Sequence, residues 1–502
     1  MNNPLALTEP HRPELHLTAE RGALYAPAAV LIDGTTWHVF HQYRLSSDAP
    51  YTATSPARWG HQASAGDCFN WEECNDVLAP TGSELLVRAG AVVPQSCQYD
   101  GAYLYFTSVT PAGTHIELAF IPSLEESIAD TSDDPLTLEP SVQRLGPVVT
   151  NEQGVNFGLR DFRSPCVVRG WADDKARNAG HEGFLMLAVT GDTETPGLAI
   201  LASADGHSWQ VQGPLEFVGN SGIGENIHQV VSPRIARLRD EVDGQIYDVL
   251  IVTLEEKGID ISGYLVGTLQ GTKFVVSKPF ERLDYGHDFT RPRGSADTSG
   301  PSYEGTVIMG LLNGVGRLDN PANHLSMREE GWANVLSLPR MVTLQGGRIY
   351  QTPMPKLVAE IANTQNARSY TAVVDIPPGG EFVVELFDAS ANIAARLVHT
   401  GTHIHLDRSM NLHHQGSPVA TAPVQGPGSG SGNSHSLTVI VDGSTVELFA
   451  DGGAVAMASR VYFDGGCQKL VPTTKNGAKV ENSFHRLARS LNTPLPVWDE
   501  EL

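Results

Sequence analysis

Asp161 and Arg163 are two residues apart, so on an extended strand both side chains fall on one face, where the carboxylate could serve as an acid or base or pair with the guanidinium. His403-Ile404-His405 with His413-His414 could present imidazoles on a strand face, as metal ligands do. No cysteine or carboxylate cluster completes that set, and Asp407 reads as a turn residue, so no metal centre is expected. Gly426 to Gly432 lacks the Lys-Ser/Thr ending of a phosphate loop. Ser164 has no evident His and Asp partners for a serine hydrolase, and no cofactor is expected.

The elements that must position such residues read as strands joined by tight turns. Asp33-Gly34, Asp100-Gly101, Asp243-Gly244, Gly346-Gly347, Asp442-Gly443 and Asp451-Gly452 each fall between runs rich in Val, Ile, Tyr, Phe and Thr. Asp-Gly supplies the positive φ angles of a type I′ hairpin turn. Long amphipathic helical periodicity is absent. Gln62 to Trp71 and Leu201 to Trp209 echo each other, each reading as an inner strand, a turn and an outer strand with a Trp, the rhythm of propeller blades. After Tyr350 to Pro355, alternating segments such as Phe382–Phe387 and Ser436–Val441 suggest a sandwich. The Gly, Ser and Pro-rich run 415–436 reads as a flexible loop between sandwich strands.

A chain of 502 residues can fill two cores, since single cores rarely exceed roughly 250 to 300 residues. A formal charge of −23 argues against nucleic acid or an anionic membrane as partner, because both bind basic patches. No apolar run approaches the ~20 residues of a membrane helix. The start, Met1 to Leu5, has neither a basic nor an apolar signal region, and Cys68, Cys74, Cys97, Cys166 and Cys467 are scattered. Together these features lead to the expectation of a reduced, cytoplasmic protein.

The order of short boxes along the chain resembles the glycoside hydrolase family 32 fructosidases. The boxes are Leu24-Tyr25-Ala26-Pro27 before Phe40-His41-Gln42-Tyr43, Trp59 through Trp71, and Phe162-Arg163-Ser164-Pro165. Val230-Val231-Ser232-Pro233, Asp284 to Phe289, Leu338-Pro339-Arg340 and Val441 to Phe449 follow in family order. The resemblance implies an all-β protein, with a five-bladed β-propeller over residues 1–354 and a β-sandwich over 355–502. It also implies a retaining mechanism in which one carboxylate attacks the anomeric carbon and another, about 5 to 5.5 Å away, protonates the leaving oxygen.

On that pattern the nucleophile, the transition-state stabiliser and the acid fall at Ala26, Ser164 and Val231, so none of the family carboxylates is in place. A nearby acid could substitute: Asp33, which reads better as a turn residue, Glu225 in a Gly-rich loop, or Asp161, the strongest of the three. Gln42, Trp59, Arg163 and Asp288 match positions at or near the sugar site and supply an aromatic wall with donors and acceptors for hydroxyls. Each also has a structural explanation: strand-end satisfaction for Gln42, blade packing for Trp59, and ion pairing of Arg163 with Asp161 or Asp288. Three functions follow: a catalytically degenerate homologue binding a carbohydrate or a partner protein at the propeller mouth, an active fructosidase or fructosyltransferase with relocated acids, or a structural subunit with a vestigial pocket.

Overall fold

The computed structural model describes residues 9–488 apart from 46–55, 97–98, 130–131, 133, 135–136, 171–182, 192–196, 224–228, 257, 300–301, 415 and 425–432. Glu225 and Cys97 lie outside the described residues.

Five four-stranded blades each run from an inner strand outward. The inner strands are Gly22–Asp33, Leu86–Ser96, Arg163–Arg169, Gln229–Arg239 and Phe289–Asp297. Blade 1 continues through Thr36–Arg44, Arg58–Ala65 and Glu72–Glu73, and blade 2 through Tyr99–Thr110, Gly113–Ile121 and Gln143–Val149. Blade 3 adds Phe184–Thr190, Gly197–Ser203 and Gln210–Pro214, and blade 4 Ile246–Glu256, Ile259–Gln270 and Lys273–Arg282. Blade 5 adds Thr306–Leu312, Arg340–Gln345 and Arg348–Pro353. The first and last inner strands pair in parallel, Val30 with Ser295 and Leu31 with Ala296, which closes the ring.

Blades stack face to face, so their middle strands are buried on both sides. That is why Phe184–Thr190 (FLMLAVT) and the centre of Ile246–Glu256 are continuous apolar runs without alternation. The second domain pairs two five-stranded antiparallel sheets. Its strands have one wet face, and Arg368–Asp375 accordingly alternates between buried and half-buried side chains.

Three local expectations are corrected. Asp100-Gly101 lies inside the strand Tyr99–Thr110, where the Asp100 carboxylate accepts from the Ser123 hydroxyl and the Glu125 N–H instead of making a turn. The echoing segments are third strands followed by the outermost, not inner strands. Their likeness comes from a shared turn in which Asp67 Oδ1 accepts Phe69 N–H (2.8 Å) and Asp205 Oδ1 accepts His207 N–H (2.8 Å). Within the expected loop 415–436, Val419–Pro423 forms a strand paired with His403–Asp407, because Ala420 and Ala422 alternate inward.

Buried ions join the two domains. Arg340 of blade 5 is fully buried, with Nη1 donating to Asp284 (2.8 Å) and Nη2 to Glu447 of the sandwich (2.7 Å). His16, ahead of blade 1, bridges Asp442 (2.7 Å) and Glu447 (3.1 Å) through its two ring nitrogens. Asp288 accepts Arg408 Nη1 and the Arg460 N–H, both at 2.7 Å. Gly286 passes so close to Ala458 that a Cβ there would lie 2.2 Å from its carbonyl oxygen. Burial pushes the His16 pKa down, but the two carboxylates outweigh it and hold it above the usual imidazole range.

Removing one partner of a buried ion pair leaves the other uncompensated, so Arg340→Met is expected to lower stability by about 3–5 kcal/mol, read from the urea midpoint. The His16 contribution has a definite sign. With a folded pKa above the unfolded 6.5, it is fully present below pH 6.5 and lost as pH rises through the folded value. Unfolding midpoints measured from pH 6 upward should therefore fall in the wild type and fall less in His16→Gln.

Candidate functional site

All five inner strands break register at one level. The shifts lie at Leu24/Pro27 in blade 1, Arg88/Ala91 in blade 2, opposite Leu187/Val189 in blade 3, Val231/Arg234 in blade 4 and Thr290/Arg293 in blade 5. In four of them a proline supplies the break: Pro27, Pro165, Pro233 and Pro292. Proline offers no N–H to a ladder, so pairing cannot continue through it. The residue before it is held left-handed in three blades: Ser164 (φ 51°), Ser232 (φ 53°) and Arg291 (φ 48°). Such backbone costs on the order of 1–3 kcal/mol per residue and persists where surrounding contacts hold it. Here hydroxyls do so: Thr107 Oγ1 accepts the Ser164 N–H (2.9 Å), and Thr253 and Ser262 accept the Arg291 N–H (3.2 and 3.1 Å). In blade 2 the place is taken by Gly90, where a Cβ would meet the Tyr105 carbonyl oxygen at 1.8 Å.

This ring places Ala26, Ser164 and Val231 at the same end of the propeller, on blades 1, 3 and 4. Ala26 and Val231 are buried and Ser164 is half-buried. Asp161 does not share a face with Arg163. Its own φ of 56° turns the carboxylate to the Gly113–Thr114 turn, where Oδ1 accepts the Thr114 N–H at 3.4 Å. Arg163 is buried and donates to the Asp161 carbonyl oxygen (3.0 Å), not to its carboxylate. Gln42 is half-buried, and its Oε1 accepts the Ala89 N–H (3.1 Å), tying blade 1 to blade 2.

Two predicted ligand residues serve packing instead. Trp59 is fully buried in the core between blades 1 and 2, edge-on to Phe106, with its indole N–H donating to the Arg88 carbonyl (3.0 Å). A ring with no exposed face offers no wall to a sugar. Asp288 is committed to Arg408 and the Arg460 backbone at the domain junction, as described above. Burial raises its pKa, but Arg408, His287 and Arg460 together outweigh this and hold the carboxyl below the usual range.

Charged residues that the motif reading passed over occupy the ring. Asp260 Oδ2 accepts from Arg291 Nε (2.7 Å) and the Thr290 hydroxyl (2.9 Å). Arg234 and Arg293, each directly after a ring proline, point into a cavity of about 750 Å³ along the propeller axis. The repeated Pro-Arg dipeptide was the available signal. Asp319 gathers the loop before Trp332, with Oδ1 against His324 Nε2 (2.6 Å) and Oδ2 accepting from Asn313 (3.0 Å), while Asn334 Nδ2 donates to the Leu24 carbonyl (2.9 Å).

Among the described residues, the donors that converge as metal ligands could are His399, His435 and Asp451, within 4.8 Å of one another. The Gly401 N–H donates to His399 Nδ1 (3.0 Å), so the neutral ring carries its proton on Nε2 and that nitrogen has no lone pair for an ion. His403 and His405 bond Thr402 and Thr421.

A ring-closed propeller with its inner-strand bulges at one end, backed by a two-sheet sandwich, is the architecture of a carbohydrate-active protein class. Residues 16–353 match the Glycosyl hydrolases family 32 N-terminal domain and residues 389–488 the Glycosyl hydrolases family 32 C terminal domain, so the chain belongs to glycosyl hydrolase family 32. It is 25% identical over 480 residues to a sucrose-6-phosphate hydrolase of Bacillus subtilis, covering 91% of this chain and 90% of that protein. It is 26% identical over 364 residues to a raffinose invertase of Escherichia coli, covering 68% and 64%. In fold it is similar to a Bombyx mori family 32 β-fructofuranosidase (TM-score 0.70, 19% identity, 96% of this chain and 95% of that one). An exo-inulinase from Aspergillus awamori superposes with TM-score 0.72 at 18% identity, covering 96% and 99%.

Because Trp59 is core, Trp59→Ala should cost about 3–5 kcal/mol of stability in denaturant titration. A variant as stable as wild type would return the indole to the list of surface groups.

Proposed function

We propose that this chain is a catalytically degenerate member of its family that binds a carbohydrate at the bulged end of the propeller. One observation carries the reading. The register breaks that would display two catalytic carboxyl groups and a stabilising one are kept at the same level on blades 1, 3 and 4, while the residues there are Ala26, Ser164 and Val231. Neither an alanine nor a valine can attack an anomeric carbon or pass a proton, and a serine brings a hydroxyl without charge. Maintaining left-handed Ser164 and Ser232 against their conformational cost suits a frame still under use.

The polar groups left at that level are those a neutral sugar takes. Ser164 and Ser232 contribute hydroxyls, Arg163 and Arg291 guanidinium groups, and Gln42 an amide at the rim. Asp260 holds Arg291 by its Nε and leaves the outer guanidinium nitrogens for a ligand; Nη2 is buried without a partner. Support for a sugar also comes from the relatives, whose names include hydrolases of sucrose-6-phosphate and a mutant β-fructofuranosidase in complex with sucrose. Asp161 turned onto Thr114 favours binding over relocated acid chemistry.

Titration calorimetry with fructose, sucrose and a short fructan should give saturable binding of at least one of them. Arg291→Ala should weaken that binding tenfold or more, the loss of a charge-assisted hydrogen bond worth about 1.5–3 kcal/mol. Absence of heat with every sugar in the set, from a protein that unfolds cooperatively, would leave the bulged end without a ligand and overturn the reading.

A further inference from the structure

At the head of the central channel lie two buried arginines that no carboxylate among the described residues pairs. Arg234 is 6% and Arg293 2% exposed. Arg234 donates to the backbone carbonyls of Pro165 (3.1 Å), Pro233 (2.5 Å) and Gly90 (2.8 Å). Arg293 donates from Nη1 to the Ser232 hydroxyl (3.1 Å) and to the carbonyls of Arg291 and Pro292 (both 3.3 Å), and its Nε has no partner at all. Every one of these acceptors is neutral. Among the described residues, neither arginine has a carboxylate within ion-pair distance, although the chain as a whole carries a net charge of −23. Arg340 and Arg408, equally buried, each face a carboxylate.

We propose that Arg234 and Arg293 form a binding site for a dianionic oxyanion, free phosphate or the phosphate group of a small ester. Two uncompensated positive charges call for two negative ones, and a guanidinium is the side chain whose planar donors match phosphate oxygens. Both arginines line the cavity of about 750 Å³, beside the Cys166 thiol and beneath apolar walls that include Ala28, Val168 and Ala236. That volume is typical of a small-molecule site and leaves room for an organic body beyond the oxyanion. Arg169 and Arg237 also line the cavity. Its two acidic residues are engaged elsewhere, Asp297 with Ser299 and Glu304 with Arg239. The electrostatics agree with the geometry. Burial first, and then Arg234, push the Arg293 pKa down, and burial lowers that of Arg234 to about 10, in both cases against a smaller upward effect of Cys166, which also hydrogen-bonds Arg234. A bound anion would relieve both. This site lies two residues further along the inner strands than the proposed sugar-binding ring and touches it at the Ser232 hydroxyl, but its test reads phosphate and not sugar.

The test is thermal unfolding of the full chain with inorganic phosphate and with glycerol 3-phosphate, each against sodium chloride at matched ionic strength. The expected result is a saturable rise in Tm with phosphate that chloride does not give, because a ligand of the native state stabilises it. Arg293→Met should lose that response, with at least a tenfold weaker apparent affinity. A larger response to glycerol 3-phosphate assigns the site to an ester, and a response to inorganic phosphate alone assigns it to the free ion. No response to either, or an equal response in Arg293→Met, overturns the proposal. Should that variant not fold, selenate-soaked crystals of the wild type decide: an anomalous peak between the two guanidinium groups supports the site, and its absence contradicts it.

Discussion

The ring of interrupted pairing around the propeller axis governs what this molecule can present. Each inner strand must end its ladder at one level, and proline or a glycine with no room for a Cβ enforces the break. A bulge turns one residue out of the pleat toward the mouth and the residue after the proline toward the axis. The same device therefore sets two layers: Ala26, Ser164 and Ser232 with Arg291 above, Ala28, Cys166, Arg234 and Arg293 below. Substitution within either layer changes chemistry while the backbone, held by Thr107, Thr253 and Ser262, stays as it is.

Behind the ring, the domain junction supplies rigidity. Arg340, Glu447, His16 and Asp442 form a continuous buried chain of charges that crosses from blade 5 to the sandwich and back to the segment before blade 1. Asp288 extends it beside the inner strand of blade 5. With Ala26 and Val231 at the bulged end, the principal ion pairs of the fold lie elsewhere, at the domain junction.

Much of this was legible in the sequence. Asp-Gly pairs marked two-residue hairpin loops at Asp33 and Asp442 and a longer strand connection at Asp243, each with its glycine at positive φ, and the ordered boxes carried the architecture. Side-chain direction was not legible. Asp161 and Arg163 are two apart, yet a left-handed backbone at Asp161 sends their side chains different ways, and strand periodicity presumes the extended backbone that a bulge abandons. Trp59 and Asp288 have the chemistry of sugar-binding residues, but burial and a partner more than a hundred residues away, Arg408, decide their use. Arg234 and Arg293 carry no mark in the family boxes, whose site positions lie before each proline, whereas the residue after it faces the channel.

As proposed above, the frame of a fructosidase is kept here without its acid–base chemistry. Loss of general acid or base help alone typically costs ~10²- to 10⁴-fold, and loss of the nucleophile removes the covalent route as well. The direct measurement is fructose released from sucrose, inulin and levan by the pure protein over long incubation at high protein concentration. Release no faster than the buffer blank is expected. Repeated turnover, abolished by Asp161→Asn, would contradict it.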